Sequence, residues 1–247
     1  MDLSVSPPVE NHGPLASRDD LVELRRRFAE TGRVVVGNIL ADAYAQALRA
    51  ELLAWPRWAL VARIDGRHYD FDVAEFERLP VARRAELDAL ILAEAGRGMQ
   101  YRYERHPLYD LDYDAGPLPP ALAGFRELLQ RGAFLALARA ITGQAAIAFG
   151  DGQMTRYRRG HFLTRHDDAH PTKRRVAAYV LGLTPDWGAD QGGQLQFLDE
   201  AGRVEDTVVP GFNTLTLFRV PRPHLVGAVA PFVETSRLSV TGWLREA

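Results

Sequence analysis

QMTRYRRGHFLTRHDD (residues 153–168), followed closely by RRVAAYVLGL (174–183), is the stretch on which the fold turns. Both runs are short, carry β-branched and aromatic residues, and are bounded by turn-forming residues, as strands are. Working outward, similar runs occur at AAIAFGDG (145–152), GGQLQFLDEAGRVEDTVVP (192–210), TLTLFRV (214–220), HLVGAVAP (224–231) and RLSVTGWLRE (237–246). Many short strands at even spacing predict an antiparallel sandwich or jelly roll over residues 145–247.

Upstream the period changes. Leu21, Leu24 and Phe28 recur at helical steps, Ser17 offers an N-cap, and Thr31-Gly32 closes the segment. RVVVGNIL then reads as a strand, and residues 41–55 as a helix ended by Pro56. Asp65-Gly66 between WALVARI and RHYDFDV predicts a hairpin, because a type I′ turn needs two residues that tolerate positive φ. A third helix is expected from about Pro80 to Ala95, a strand at GMQYRYERHPLYD, and one or two helices over 121–142 broken at Gly132 and Gly143. The architecture expected is α+β with a mainly β core. Residues 1–17 form a loose arm and 18–247 one domain, with 18–144 as helical support plus hairpin.

Composition narrows the chemistry. The chain of 247 residues is 47% hydrophobic and 25% charged, the profile of a globular protein. Its net charge of -2 gives no field that would recruit nucleic acid or anionic lipid. Without cysteine, thiolate sites and disulfides are excluded, leaving His and carboxylates as metal ligands. The N-terminal segment lacks the basic and apolar regions of a signal peptide and no long apolar run follows, so a cytoplasmic location is expected. Asp110, Asp112 and Asp114 imitate the start of a calcium loop, but Ala115 and Ala121 stand where such a loop needs Gly and Glu.

Residues two apart on a strand share a face, so His166 and Asp168 present an imidazole and a carboxylate side by side. His224, after a Pro-bounded turn, opens a later strand and offers a third ligand. Two His and one carboxylate on one face of an octahedral ion leave three positions open, as in non-heme iron oxygenases. Competitors exist: Asp167 is adjacent, Asp168 and His170 have the same spacing but His170 precedes Pro171, and His161 would face the other way on an unbroken strand.

In these features the chain, from about Gln153 to Arg245, resembles the prolyl 4-hydroxylase-like branch of the iron(II)/2-oxoglutarate oxygenases. The matching features are Tyr157, His166 and Asp168, the strand RRVAAYVLGLTPDW, Gly192-Gly193, His224 and Arg237, in the family's order. The resemblance implies a double-stranded β-helix with helices packed on one sheet. It also implies iron(II) and O2 as reagents, ascorbate as a supporting reductant, and 2-oxoglutarate as a co-substrate oxidised to succinate and CO2. The product is a hydroxylated C–H bond, first of all on a prolyl residue of a protein or peptide; a free amino acid or small metabolite is the alternative. Arg237 is then the cation for the 5-carboxylate, a role suited to a guanidinium that stays charged when buried. Ser239, two residues on, and Tyr157 would add hydrogen bonds.

Two departures stand out. The interval from His224 to Arg237 is longer than in the hypoxia-sensing enzymes, placing a loop at AVAPFVETS, and the aromatic expected within 174–183 is displaced, with Tyr179 the residue on offer. The 61–75 hairpin and the 99–116 segment are candidate gates, and Arg165, Arg219 and Arg222 candidate substrate contacts. Rival readings are a zinc hydrolase on the same ligands and a non-catalytic jelly-roll binding module. The first has no need of Arg237 and Ser239 facing a buried 5-carboxylate, and the second would not need an intact ligand set.

Overall fold

The computed structural model describes residues 14–110, 113–114 and 116–247. Most of the arm expected at 1–17, and Asp112 and Ala115 of the calcium-like run, lie outside the described residues. At Pro14–Ala16 the chain is fixed by backbone hydrogen bonds from Ala41 to Pro14 and from Ala16 to Ile39.

The helical expectations are met with small shifts. Helix α1 spans Leu21–Thr31 and buries Leu24 and Phe28, with Gly32 closing it at φ 72°. Its N-cap is Asp20 rather than Ser17; the Asp20 side chain does not cap the helix but accepts from Arg18 at 2.7 Å. Strand β1 is Arg33–Gly37, and α2 is Asp42–Ala54, burying Ala45, Leu48 and Leu52. The hairpin forms from β2 (Ala59–Ile64) and β3 (Arg67–Asp72), with positive φ at both Asp65 and Gly66 as a type I′ turn requires. A short helix, α3 (Val73–Arg78), was not anticipated; the Asp72 carboxylate caps it by accepting from the Glu75 N–H at 3.0 Å. Helix α4 is Val81–Ala95, β4 is Tyr101–Asp110, and a two-residue strand β5 (Tyr113–Asp114) pairs back on it. Helices α5 (Pro120–Gln130) and α6 (Ala133–Thr142) divide at Gly132.

The β region holds β6 (Ile147–Gly150), β7 (Gly152–Tyr157), β8 (Phe162–His166), β9 (Arg175–Leu183), β10 (Leu195–Leu198), β11 (Val204–Val208), β12 (Phe212–Arg219), β13 (His224–Val226) and β14 (Arg237–Glu246). The strands run in the order β1-β12-β9-β14-β7-β4-β8-β13-β10-β11, antiparallel at every step, with the β2–β3 hairpin attached through β4 and β6 on β14. The sheet curls on itself, so that β7, β9 and β12 share an inner cluster with β10 and β13 through Tyr157, Ala178, Phe218, Phe197 and Val226.

Strand periodicity separates two cores. On β9 the side chains of Tyr179, Leu181 and Leu183 join the layer formed with α1, α2, α5 and α6, while Ala178 and Val180 face the barrel interior. On β14, Leu238, Val240 and Leu244 pack toward the helices. This is the double-stranded β-helix expected, with helices covering one wall. Among the described residues no helix is long and apolar enough to cross a membrane.

Candidate metal and co-substrate site

His166 ends β8 and His224 begins β13, and the two strands pair with these residues directly opposite each other. Their rings lie 4.0 Å apart. Asp168 joins them by a route that strand periodicity does not describe. Strand β8 stops at His166, and Asp168 sits past its end at φ 63°, a left-handed conformation that Asp tolerates better than most residues. From there its Oδ1 stands 3.4 Å from His166 Nε2 and its Oδ2 3.5 Å from His224 Nε2. One donor atom from each residue falls within 4.8 Å of the others, a set able to hold a metal ion.

The histidine protons are already placed for such a role. His166 Nδ1 donates to the Thr164 carbonyl at 3.0 Å and His224 Nδ1 to the Arg222 carbonyl at 2.7 Å. Carbonyls only accept, so each Nδ1 carries the proton and each Nε2 turns a lone pair toward Asp168. Burial, reinforced by the neighbouring His166, pushes His224 down to about 4, keeping it neutral at physiological pH. Burial pushes the Asp168 carboxyl up, but a proton on the imidazoles in the metal-free site, His166 foremost, holds it below the usual range.

The competitors fall away on geometry. His161 is buried on the far side, its Nδ1 accepting from the Arg158 N–H, and faces a second cavity with Arg102 and Arg158. His170 is exposed, and Asp167 is exposed with its carboxylate accepting from the Ala169 N–H.

The ligand cluster lines a cavity of about 700 Å³ that also receives Tyr157 and Arg237. On β14, Arg237 and Ser239 sit opposite Tyr157 and Thr155 of β7. Arg237 is 4% exposed and its guanidinium lies 5.0 Å over the Tyr157 ring. Among the described residues no carboxylate meets it: Nη1 is buried without a hydrogen-bond partner, and burial lowers the pKa from its ordinary value. A buried guanidinium left unpaired is costly, so this corner suits an anion. Ser239 Oγ shares a hydrogen bond with Thr155 Oγ1 at 2.7 Å. Tyr179 reaches the cavity wall but is committed elsewhere. Its ring stands edge-on to Phe134 in the helix-side core and its hydroxyl donates to the Asp151 carbonyl, because it lies one residue out of phase with Ala178 and Val180.

The Gly192-Gly193 turn backs the anion corner. A Cβ at Gly192 (φ 75°) would stand 2.0 Å from the Ala228 carbonyl oxygen, and one at Gly193 3.4 Å from Arg237 Cδ. Gly192→Ala is expected to cost about 2–4 kcal/mol through positive φ and overpacking together, measured by chemical denaturation. The Gly192–Val229 bridge anchors the loop at 227–236 that the longer interval before Arg237 required.

Several cavity residues carried no site role in the sequence reading. Arg175, the first residue of β9, donates from Nη1 to the Asp168 carbonyl at 3.1 Å and lies 3.5 Å over the Trp243 ring. Asp151 is buried in the wall, and burial pushes its carboxyl up to about 6. The Arg-initiated strand was a visible signal for Arg175; Asp151 had none, because the pairing that places it lies 92 residues away, at the Trp243 N–H. Arg165, Arg219 and Arg222 do not line the cavity, and Arg222 instead pairs with Glu205.

Comparison with known proteins follows the same outline. Residues 152–245 match the sequence profile of the 2OG-Fe(II) oxygenase superfamily. That span includes His166, Asp168, His224 and Arg237. An 88-residue segment is 35% identical to prolyl 3-hydroxylase OGFOD1 of Mus musculus, covering 33% of this chain and 16% of that protein. Among solved structures, a Pseudomonas putida prolyl-4-hydroxylase aligns with a TM-score of 0.60 at 22% identity, covering 92% of this chain and 99% of that one. A Trichoplax adhaerens prolyl hydroxylase, solved in complex with a hypoxia inducible factor peptide fragment, aligns at 0.56 and 14% identity, over 92% and 89%. At these identities the structures speak for the fold alone.

Proposed function

We propose that the protein is an iron(II)- and 2-oxoglutarate-dependent dioxygenase. It would hydroxylate an unactivated C–H bond of a prolyl residue in a protein or peptide, releasing succinate and CO2. The observation that carries this reading is the buried, carboxylate-free Arg237 in the same cavity as the His166, Asp168 and His224 cluster. A metal cluster alone fits many reactions. A hydrolytic zinc site has no use for a desolvated cation beside it, whereas a co-substrate with a remote carboxylate does.

In this reading His166, Asp168 and His224 hold the iron through two Nε2 atoms and a carboxylate oxygen. Iron bound there supplies the O2-dependent decarboxylation of 2-oxoglutarate and the hydroxylation coupled to it. Arg237 receives the 5-carboxylate as a two-point hydrogen-bond acceptor, with Ser239 and Tyr157 beside it. The Thr155–Ser239 bond orients the serine hydroxyl within that wall. Thr164 and Arg222 carbonyls hold the imidazoles in the metal-binding tautomer. The apolar inner residues Leu195, Phe218 and Val226 keep water from the reacting centre. The prolyl substrate rests on the matched segment of the mouse prolyl 3-hydroxylase.

The test is direct. Purified protein with iron(II), ascorbate and 2-oxoglutarate is expected to form succinate, and His166→Ala to form none. Proline-containing peptides and free amino acids, screened by mass spectrometry for one added oxygen atom, identify the substrate class. Hydrolysis supported by zinc with no succinate under any condition would overturn the reading.

A further inference from the structure

Three tyrosines form a continuous column through the cavity wall. Tyr157, beneath Arg237, stacks on Tyr103 with ring centroids 4.9 Å apart and planes 6° from parallel. Tyr103 meets Tyr101 at 6.0 Å, and Tyr101 meets the His68 ring at 5.7 Å. Strand geometry sets the order: Tyr101 and Tyr103 share one face of β4, and the Glu104↔Arg156 register brings Tyr103 against Tyr157 of β7. The inner end shares the cavity with the ligand cluster, which Tyr157 and Tyr103 line together with His166, Asp168 and His224.

The outer end has a different chemistry. The Tyr101 hydroxyl lies 2.6 Å from His68 Nδ1, and His68 Nε2 lies 2.8 Å from Asp70 Oδ2. Arg105 approaches from β4, with Nη2 3.1 Å from His68 Nε2 and Nε 3.1 Å from Asp70 Oδ1. The nearer Asp70 carboxylate takes the Nε2 proton, which leaves Nδ1 as the acceptor for the phenol. Stacked aromatics are ordinarily packing. What sets this column apart is that it begins at the ligand-lined cavity and ends on a phenol with a base and a carboxylate behind it, on the exposed hairpin. Oxidation of a phenol releases its acidic proton, so a tyrosine is oxidised readily only where a base receives that proton.

We propose that Tyr157, Tyr103 and Tyr101, with His68 and Asp70, form a relay that carries an oxidising equivalent out of the active site when iron is activated without substrate to hydroxylate. The inference rests on the oxygenase reading, which supplies the oxidant, an iron-centred one-electron acceptor. One electron passes inward through the tyrosine rings and reduces that centre, while the Tyr101 phenolic proton moves to His68 Nδ1. The products are a neutral Tyr101 phenoxyl radical and a His68 imidazolium paired with Asp70. A small-molecule reductant such as ascorbate returns the electron at the surface, and His68 returns the proton.

The experiment uses the full chain with iron(II), 2-oxoglutarate and O2 and no hydroxylatable substrate. Freeze-quenched samples are examined by electron paramagnetic resonance, and oxidised residues are mapped by peptide mass spectrometry, both per 2-oxoglutarate consumed. The wild type is expected to show a tyrosyl radical that is lost in Tyr101→Phe and Tyr103→Phe. In those variants oxygen incorporation should move inward, to Tyr157, Phe218 and Trp243. His68→Phe, which leaves all three rings in place, should also lose the radical. If 2-oxoglutarate is consumed but neither radical nor adduct pattern differs among the variants, the relay is overturned and the oxygenase reading stands. If the wild type consumes no 2-oxoglutarate without substrate, the relay has no oxidant and is overturned; if it consumes none with peptides or amino acids added either, the oxygenase reading falls with it.

Discussion

Asp168→Asn is expected to bind iron(II) more than about a hundredfold more weakly than the wild type, and to lose 2-oxoglutarate turnover with it, while folding almost normally. Residues that only hydrogen-bond to metal ligands already cost roughly 10–100-fold when removed, so loss of a ligand sets a higher floor. Asn keeps the shape of Asp and tolerates the left-handed backbone that Asp168 adopts at φ 63°. It removes the anion that sits between His166 Nε2 and His224 Nε2. Asp168→Ala separates the two effects: it loses the same metal affinity and adds a backbone cost of about 1–2 kcal/mol, because Ala pays the left-handed penalty that Asn escapes. Calorimetric titration with iron(II) or manganese(II), beside thermal unfolding of the metal-free proteins, reads both. Wild-type metal affinity in Asp168→Asn would remove Asp168 from the ligand set.

That backbone angle also marks a limit of the sequence reading. Spacing correctly brought Asp168 next to His166, but for the wrong local reason: the reading placed both on one strand, and β8 ends at His166. Period-2 logic holds only while the strand lasts. The elements that were legible had local signals of their own. Gly32 at a helix end, Asp65-Gly66 at a hairpin and Gly132 between two helices each mark a positive φ that few other residues accept. Alternation along 237–243 correctly turned Arg237 and Ser239 to one inner face, since β14 is regular across them.

What escaped was set by pairing between distant segments. Asp151 is held by the backbone N–H of Trp243, and Tyr103 stacks on Tyr157 only because β4 lies between β7 and β8 in the sheet. The aromatic strand at 99–110 reads as packing or as a gate until its neighbours are known. Tyr179 is the converse case: an aromatic in the expected strand, but with its ring packed into the helix-side core against Phe134.

Arg237→Ala is expected to weaken 2-oxoglutarate binding by between about one and a half and three and a half decades while leaving metal affinity close to wild type. Removing one partner of a buried, hydrogen-bonded charge pair costs roughly 2–5 kcal/mol, and each 1.4 kcal/mol is about tenfold. The size of the stability change distinguishes this residue from a structural arginine. A guanidinium that holds the fold together pairs with a carboxylate of the chain, and its loss destabilises the ligand-free protein. Arg237 has no such partner among the described residues; its Nη1 is buried and unsatisfied, and what it touches are the Tyr157 ring and the Gly193 turn. The metal-free, co-substrate-free variant should therefore unfold within about 1–2 kcal/mol of the wild type, since it loses packing but also relieves an uncompensated buried charge. The stabilisation on adding 2-oxoglutarate with a redox-inert divalent metal should disappear, because a ligand stabilises only in proportion to its affinity for the folded state. Arg237→Lys is expected to fall between the two, keeping the charge but losing the planar two-point contact. Thermal unfolding with and without 2-oxoglutarate measures all three proteins. A full co-substrate shift in Arg237→Ala would mean that the 5-carboxylate binds elsewhere, and the case for 2-oxoglutarate would then have to rest on the metal cluster and the sequence match alone.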